Sequence, residues 1–217
     1  MIGFIRGIIW DVDGTLADTL DLCASALGVA ITSFGGPTLT REEIYGRFGP
    51  TEGGILRSEL GDAWPEAMEV FLDEYRSGHD GVQFPIVNGV VRTLFDAGIP
   101  QSVVTGKGFR SAQITLEAIE LWGVFEEVAA GSMEGPVKAV EIARIVEQWG
   151  FDPSEVAYIG DAPSDVRSSR EAGVVAVTAA WKSGADAERL SSLGPDVMLR
   201  SESELAQWVA DTFALPR

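Results

Sequence analysis

Short apolar runs alternate with longer segments of helical periodicity through the second half of the chain. Residues 89–98 place apolar side chains on one side of a helix, and Gly98 is a typical helix end. Residues 99–105 follow as a predicted strand with a β-branched end. The same patterns predict helices over 109–123, 137–150, 163–173, 185–194 and 202–213, and strands over 125–131, 155–161, 174–181 and 195–201.

Strands and helices that alternate in this way predict an α/β fold with a doubly wound parallel sheet, because parallel strands need helical crossovers. Residues 7–11 supply one more strand at the front of the chain. Between this strand and residue 86 the pattern contains several helices and no strand, which predicts an inserted all-helical domain. We expect residues 16–85 to form this smaller domain, and residues 1–15 and 86–217 to form the core domain.

Composition and charge narrow the classes of function. The chain has 217 residues, of which 46% are hydrophobic, and this is enough for a core domain with a small insertion. Its 33 acidic and 16 basic residues give a net charge of -17, which argues against nucleic acids and anionic membrane surfaces as partners. The single cysteine, Cys23, permits no internal disulfide, and no apolar run is long enough to span a membrane. We therefore expect a cytoplasmic protein.

Polar residues end three of the predicted strands. Asp11, Thr105 and Asp161 each follow an apolar run directly. In open parallel sheets, ligands bind beyond the carboxyl ends of the strands where the strand order reverses, so we expect these three side chains to converge. Lys138 lies in the first turn of a predicted helix, where a positive charge is unfavourable unless an anion lies nearby.

Four aspartates are expected at this edge of the sheet, namely Asp11, Asp13, Asp161 and Asp165. So many carboxylates do not all stay ionised in one pocket unless a hard cation shares them, and Mg2+ prefers oxygen ligands. An ionised aspartate beside such a metal can attack phosphorus, and a second acid nearby can protonate the leaving oxygen. The residues therefore predict a site for magnesium and a phosphate group.

Four motifs resemble, in their order along the chain, those of haloacid dehalogenase-like (HAD) phosphatases. They are DVDGTLADT at 11–19, VVTGK at 103–107, Lys138, and GDAPSDVRSSREAG at 160–173. The likeness covers nearly the whole chain outside residues 19–80, and the helical insertion resembles the small cap of the phosphoglycolate phosphatase-like branch. Many relatives with this cap carry a Lys-Pro pair slightly earlier, whereas Lys138 has the spacing that other branches of the family use.

The resemblance implies a phosphoric monoester hydrolase that acts on a small phosphorylated metabolite and forms an aspartyl-phosphate intermediate. Asp11 would be the nucleophile and Asp13 the general acid and base. Mg2+ would be held by the carboxylates of Asp11 and Asp161 and by the backbone carbonyl of Asp13. Asp165 would support the metal through a water or a hydrogen bond.

The resemblance also implies how phosphate and substrate are held. Thr105, the backbone of Gly106 and Lys138 would bind the phosphoryl oxygens, where charge develops in the transition state. The helical cap would close over the site and exclude water, and phosphoglycolate is the substrate most often assigned to this cap type. Candidate substrate-selecting residues lie in one glycine-rich stretch of the cap, namely Arg47, Thr51 and Glu52.

Other functions stay open from the sequence. A sugar-phosphate mutase of the same family would place a histidine relay in the early cap, but residues 16–35 contain no histidine. A dehalogenase or a phospho-acceptor signalling domain would have no acid at the position of Asp13, and a binding protein that has lost catalysis would not need intact motifs. Lys107 follows the second motif without the glycine that a P-loop requires, so we place it either at the surface or at the rim of the site.

Overall fold

Six parallel strands form one sheet at the centre of the protein, whose computed structural model describes residues 4–182 and 185–215. The strand order is β3-β2-β1-β4-β5-β6, which confirms the predicted doubly wound parallel sheet. The strands are β1 (Gly7–Trp10), β2 (Gln101–Val104), β3 (Val128–Ala129), β4 (Val156–Gly160), β5 (Val175–Ala179) and β6 (Val197–Leu199).

Strand β1 lies in the middle of the sheet and is buried on both faces. Ile8 and Trp10 pack into the apolar cluster on one face, and Ile9 packs into the cluster on the other. This alternation follows from the two-residue period of a strand. The buried indole of Trp10 donates a 3.0 Å hydrogen bond to Gln101, so the only polar atom of this side chain is satisfied.

The core helices cover both faces of the sheet, as the pattern of alternation predicts. They are α5 (Pro85–Asp96), α6 (Phe109–Ala118), α7 (Lys138–Trp149), α8 (Pro163–Ala172), α9 (Ala187–Ser192) and α10 (Glu202–Phe213).

Some predicted boundaries differ from the observed ones. Helix α5 begins at Pro85, four residues before the predicted start, since proline fits the first position of a helix well. Helix α6 ends five residues early, because the chain turns through Glu120 at a φ of 58°. Strand β3 has only 2 residues at the sheet edge, where it pairs with β2 alone.

Four α-helices and one short 3-10 helix lie between β1 and α5, and the α-helices have their own apolar core. Phe71 and Tyr75 are buried in this core, which Ile114 of α6 also joins. The two connections to the sheet run side by side, with the Asp18 amide 2.8 Å from the Val82 carbonyl oxygen. We propose residues 16–85 as the bounds of a cap domain. Its helices are α1 (Leu20–Ser33), α2 (Arg41–Tyr45), α3 (Glu52–Leu60) and α4 (Trp64–Ser77).

No helix within the described part of the chain is both long enough and apolar enough to cross a membrane.

Candidate active site

A cavity of about 610 Å3 lies at the carboxyl ends of the strands and is also lined by residues of the helical cap. The strand order reverses at β1, since β2 lies on one side of it and β4 on the other. The residues that follow these strands, Asp11, Thr105 and Asp161, all line the cavity. The convergence expected from the sequence is therefore observed.

Three of the four predicted aspartates form one cluster. Asp11, Asp161 and Asp165 each offer a carboxylate oxygen, and these oxygens lie within 4.8 Å of one another. Gly14 has a φ of 73°, and a Cβ there would lie 2.0 Å from Asp161 Oδ2. The glycine of the first motif therefore permits both the turn after β1 and the close approach of the Asp161 carboxylate.

The local fold of α8 positions Asp165. This residue lies in the first turn of the helix, 2% exposed, and its Oδ2 accepts a 2.8 Å hydrogen bond from the Ala162 amide. Its Oδ1 lies 2.6 Å from Lys138 Nζ and 3.4 Å from the Tyr158 hydroxyl. Both carboxylate oxygens are thus engaged within the protein, which suits a supporting position beside a bound ion.

The ammonium of Lys138 bridges two of the clustered carboxylates. Its Nζ lies 2.8 Å from Asp11 Oδ2 and 2.6 Å from Asp165 Oδ1. Lys138 is the first residue of α7, where a positive charge opposes the helix dipole. A cation at the start of a helix is favourable only beside anions, and these two carboxylates provide them.

Burial raises the pKa of the Asp11 carboxyl to about 6, against the opposing effect of Lys138, and Asp165 adds to the rise. Burial also holds the pKa of Asp161 well above its usual range, with further contributions from Asp165 and Asp11. The positive charge of Lys138 lowers both pKa values but does not offset the rise caused by burial and by the neighbouring carboxylates. A divalent cation would favour the ionised forms of these carboxyls.

The carboxylate of Asp13 lies outside this cluster and has different partners. Its Oδ1 accepts a short hydrogen bond from the Thr19 hydroxyl, and its Oδ2 lies 3.3 Å from Lys107 Nζ. Thr19 is fully buried at the start of the cap, so the side chain of Asp13 is fixed by one cap residue and one core residue. Asp13 lines the cavity, where its carboxyl is available to a ligand.

Lys107 occupies a position that the sequence did not define. It was expected at the surface or the rim, but it is 3% exposed and lines the cavity. Besides Asp13, its Nζ lies 3.2 Å from Glu52 Oε1, and it lies 4.3 Å from the centre of the Tyr75 ring. Its proximity to the strand-end residue Thr105 was the one signal in the sequence.

Thr105 and Gly106 form the floor of the cavity after β2. Thr105 is 1% exposed, and its hydroxyl oxygen accepts a 3.3 Å hydrogen bond from the Lys107 amide. Gly131 approaches so closely that a Cβ there would lie 2.3 Å from the Gly106 carbonyl oxygen. The loop after β2 is therefore packed against the loop after β3, and Gly106 lines the cavity.

The three cap candidates have different positions. Arg47 donates to Glu59 and to the backbone carbonyl of Glu43, and it is not among the residues that line the cavity. Thr51 is buried and donates its amide to the Ser132 carbonyl oxygen at 2.9 Å, and it does not line the cavity either. The expected role of Arg47 and Thr51 in selecting the substrate therefore stays a prediction, since neither residue lines the cavity in this structure. Glu52 does line the cavity.

The remaining cavity wall combines apolar and cationic side chains. The cap contributes the apolar Leu20, Phe48 and Ile55. The core contributes three cations, Arg167, Lys182 and Arg189. In a protein with a net charge of -17, these cations give part of the cavity wall a positive charge that suits an anionic ligand.

The donor set fits a hard divalent cation. Asp11 Oδ1 is a buried carboxylate oxygen that has no hydrogen-bond partner within residues 4–182 and 185–215, although such atoms are normally satisfied. It belongs to the cluster whose other members also offer only oxygen donors, Asp161 and Asp165. Oxygen-only carboxylate sites are typical of Mg2+ and similar ions.

Comparisons with known proteins agree with this geometry. The chain is 27% identical over 215 residues to the phosphoglycolate phosphatase of Chromobacterium violaceum, covering 93% of this chain and 95% of that protein. It is 29% identical to the probable phosphatase IndB of Dickeya dadantii, covering 91% of this chain and 90% of that protein. A haloacid dehalogenase-like family hydrolase from Streptococcus pneumoniae has a similar structure, with a TM-score of 0.73, 25% identity, and coverage of 94% of this chain and 98% of that one.

The model of the family described as haloacid dehalogenase-like hydrolase matches residues 8–179, which contain all four motifs and the cavity wall from Asp11 to Arg167. The resemblance stated from the motifs is confirmed, and the chain belongs to the haloacid dehalogenase-like hydrolase family.

Proposed function

We propose that this protein is a Mg2+-dependent phosphatase that hydrolyses a small phosphate monoester through an aspartyl-phosphate on Asp11. One observation carries the proposal. Asp11 lines the cavity and keeps one buried carboxylate oxygen without a partner among the described residues, while Lys138 holds the other at 2.8 Å. The first oxygen would then be available to the metal, and the second, beside a cation that would itself bind the phosphoryl group, would attack phosphorus.

The residues that would hold Mg2+ are the carboxylates of Asp11 and Asp161 and the backbone carbonyl of Asp13, with Asp165 in support. When bound, the ion would neutralise the clustered charge and polarise the phosphoryl group. This assignment is supported by the carboxylate oxygens of Asp11, Asp161 and Asp165, which lie within 4.8 Å of one another.

In the first step, Asp11 attacks phosphorus and the bond to the leaving oxygen breaks. Asp13 donates its proton to that oxygen, so that a neutral alcohol departs. Thr105, the Gly106 backbone and Lys138 bind the phosphoryl oxygens, on which charge accumulates in the transition state. All of these groups line the same cavity.

In the second step, Asp13 removes a proton from a water molecule that attacks the phosphorus of the aspartyl-phosphate. The bond between Asp11 and phosphorus breaks, inorganic phosphate leaves, and Asp11 is regenerated. Asp13 recovers its proton in this step and is ready for the next turnover. Its separation from the acidic cluster, with Thr19 and Lys107 as partners, supports its distinct role.

We further propose a small, doubly anionic substrate such as phosphoglycolate. The cationic side chains of Arg167, Lys182 and Arg189 at the cavity wall support a second anionic group on the ligand. Relatives named phosphoglycolate phosphatase support the same substrate class, and one relative is named pyrophosphatase PpaX. The apolar cap residues that line the cavity, Leu20, Phe48 and Ile55, are the proposed determinants of selectivity, whereas both carboxylate oxygens of Glu52 have partners in the core.

The test is phosphate release from a panel containing p-nitrophenyl phosphate, phosphoglycolate, glycerol phosphate and pyrophosphate. We expect activity with Mg2+, none in EDTA, and none in Asp11→Asn, a variant that preserves size. Many turnovers per protein would also exclude a phospho-acceptor domain that stores the phosphoryl group. Activity that survives in Asp11→Asn or in EDTA would contradict the mechanism.

A further inference from the structure

We propose that Lys107 is a positioning residue that couples the docking of the helical cap to the placement of Asp13. This inference rests on the proposed function, because it assigns Asp13 the role of general acid. Lys107 is buried and belongs to the core, whereas its second carboxylate partner, Glu52, belongs to the cap.

The ammonium of Lys107 is shared between two carboxylates. Its Nζ lies 3.3 Å from Asp13 Oδ2 and 3.2 Å from Glu52 Oε1, and the side chain is 2% exposed. Within the described part of the chain, Nζ has no hydrogen bond of good geometry to either of them. The ammonium is therefore held by charge and by the face of the Tyr75 ring, 4.3 Å away.

Glu52 is fixed to the core by three groups. Its Oε2 accepts a 2.8 Å hydrogen bond from the Gly108 amide, and its Oε1 accepts one of 2.8 Å from the Ser111 hydroxyl, besides the ion pair with Lys107. A Cβ at Gly108 would lie 3.0 Å from Glu52 Oε2, so a residue without a side chain suits this close approach. Glu52 thus joins the start of α3 in the cap to the start of α6 in the core.

Movement of the cap away from the core would remove Glu52 from Lys107. The ammonium would then keep Asp13 as its carboxylate partner and would lose the Tyr75 ring, which also belongs to the cap. With the cap docked, Lys107 is divided between both carboxylates, and the Thr19 hydroxyl holds the other oxygen of Asp13. Because coupling between two sites is reciprocal, the position of Asp13 and the docking of Glu52 influence each other through Lys107.

Substrates with different leaving groups distinguish a role of Lys107 in positioning Asp13 from a general loss of structure. A p-nitrophenolate leaves without a proton, whereas an alkoxide leaves only when an acid protonates it. The value of kcat/KM reports the first chemical step, so a displaced Asp13 slows alkyl phosphates much more than aryl phosphates. A structural defect lowers both by a similar factor.

The experiment compares kcat/KM for glycerol phosphate, an alkyl ester without a second anionic group, and p-nitrophenyl phosphate in the wild type and in Lys107→Met, which removes the charge and keeps most of the length of the side chain. We expect a loss of about 100-fold for the alkyl ester and a loss at least about tenfold smaller for the aryl ester, as expected when general acid catalysis is impaired. Equal losses for the two esters would overturn the proposal.

The coupling is tested with Glu52→Gln, which removes the charge and keeps the shape. We expect a smaller selective loss for the alkyl ester, and no further loss when this change is added to Lys107→Met. Independent, additive losses would overturn the coupling. If Lys107→Met does not fold, as judged by thermal unfolding, Glu52→Gln and Lys107→Arg provide the same comparison of the two esters.

The two proposals fail in different ways. A wild-type protein that hydrolyses no phosphate ester overturns the proposed function, and this inference with it. A wild-type protein that hydrolyses both esters, with variants whose ratio of alkyl to aryl activity is unchanged, overturns only the role of Lys107.

Discussion

Lys138 Nζ lies 2.8 Å from Asp11 Oδ2, although 127 positions separate the two residues in the chain. The contact forms because β1 ends at Trp10, directly before Asp11, while α7 begins at Lys138 on the same edge of the sheet. It places a permanent cation beside the proposed nucleophile, where it can also bind an oxygen of the phosphoryl group.

Replacing Lys138 with methionine removes this cation and leaves Asp11 and Asp165 without their shared partner. We expect kcat for p-nitrophenyl phosphate to fall by about 100- to 1000-fold, as is typical when one preorganised donor to the transition state is lost. Thermal unfolding monitors the fold of the variant. The control is Arg76→Met, at a cation that forms an exposed ion pair with Asp73 on α4, and it should lose far less activity. Comparable losses in both variants would contradict a specific role for Lys138.

Protein stability should depend on pH through the acidic cluster. The pKa of Asp11 is raised from 3.8 to about 6, chiefly by burial, so between these values the folded protein binds more protons than the unfolded chain. The free energy of unfolding of the metal-free protein therefore falls as pH rises through this window. Asp161 acts in the same direction, since its pKa is also raised by burial.

Mg2+ should reverse this loss, because the ion favours the ionised carboxyls. We expect the Mg2+-induced rise in Tm to be larger at pH 7.5 than at pH 5, measured in parallel with EDTA controls. In Asp11→Asn, the loss of stability of the metal-free protein with rising pH should be smaller. An equal effect of Mg2+ at both pH values would refute the role of the cluster in metal binding.

The parts of the site that were predictable from the sequence are those fixed by local pattern. A parallel sheet places strand ends together, so Asp11, Thr105 and Asp161 could be assigned to one edge without a structure. Lys138 was marked by its unfavourable place at a helix start. Strand β3 and the end of α6 were predicted poorly, because an edge strand and a turn with positive φ depend on tertiary contacts.

The contacts of Lys107 and Glu52 were not predictable in the same way. Glu52 lies in a segment whose helical pattern says which face is buried but not where the segment docks on the core. Its hydrogen bonds to Gly108 and Ser111 and its ion pair with Lys107 arise only when α3 meets the start of α6. Composition and periodicity carry no information on such a pairing between domains.

Arg167 lines the cavity from α8 and is exposed to solvent, so its charge acts on a ligand through a screened field. We expect Arg167→Gln to lower kcat/KM for phosphoglycolate by about three- to tenfold at low salt, with a smaller effect at high salt. The activity toward p-nitrophenyl phosphate, which has no second anionic group, should change less. Arg76→Gln, at an exposed position on α4, serves as the control for total charge. Equal changes for both substrates would count against a second anionic group on the ligand.

Alanine substitutions at Gly14 and Gly98 distinguish the effect of backbone strain from a displacement of residues in the active site. The φ angles of these glycines are 73° and 70°, but a Cβ at Gly14 would lie 2.0 Å from Asp161 Oδ2, while a Cβ at Gly98 meets nothing within 4 Å. Alanine at either position should cost about 1–2 kcal/mol of stability through the left-handed backbone. Only Gly14→Ala displaces Asp161, so it alone should raise the Mg2+ concentration for half-maximal activity, by about tenfold or more. The measurement is a Mg2+ titration of phosphate release beside thermal unfolding of both variants. If the two variants have the same Mg2+ requirement, Asp161 does not contribute to the metal site.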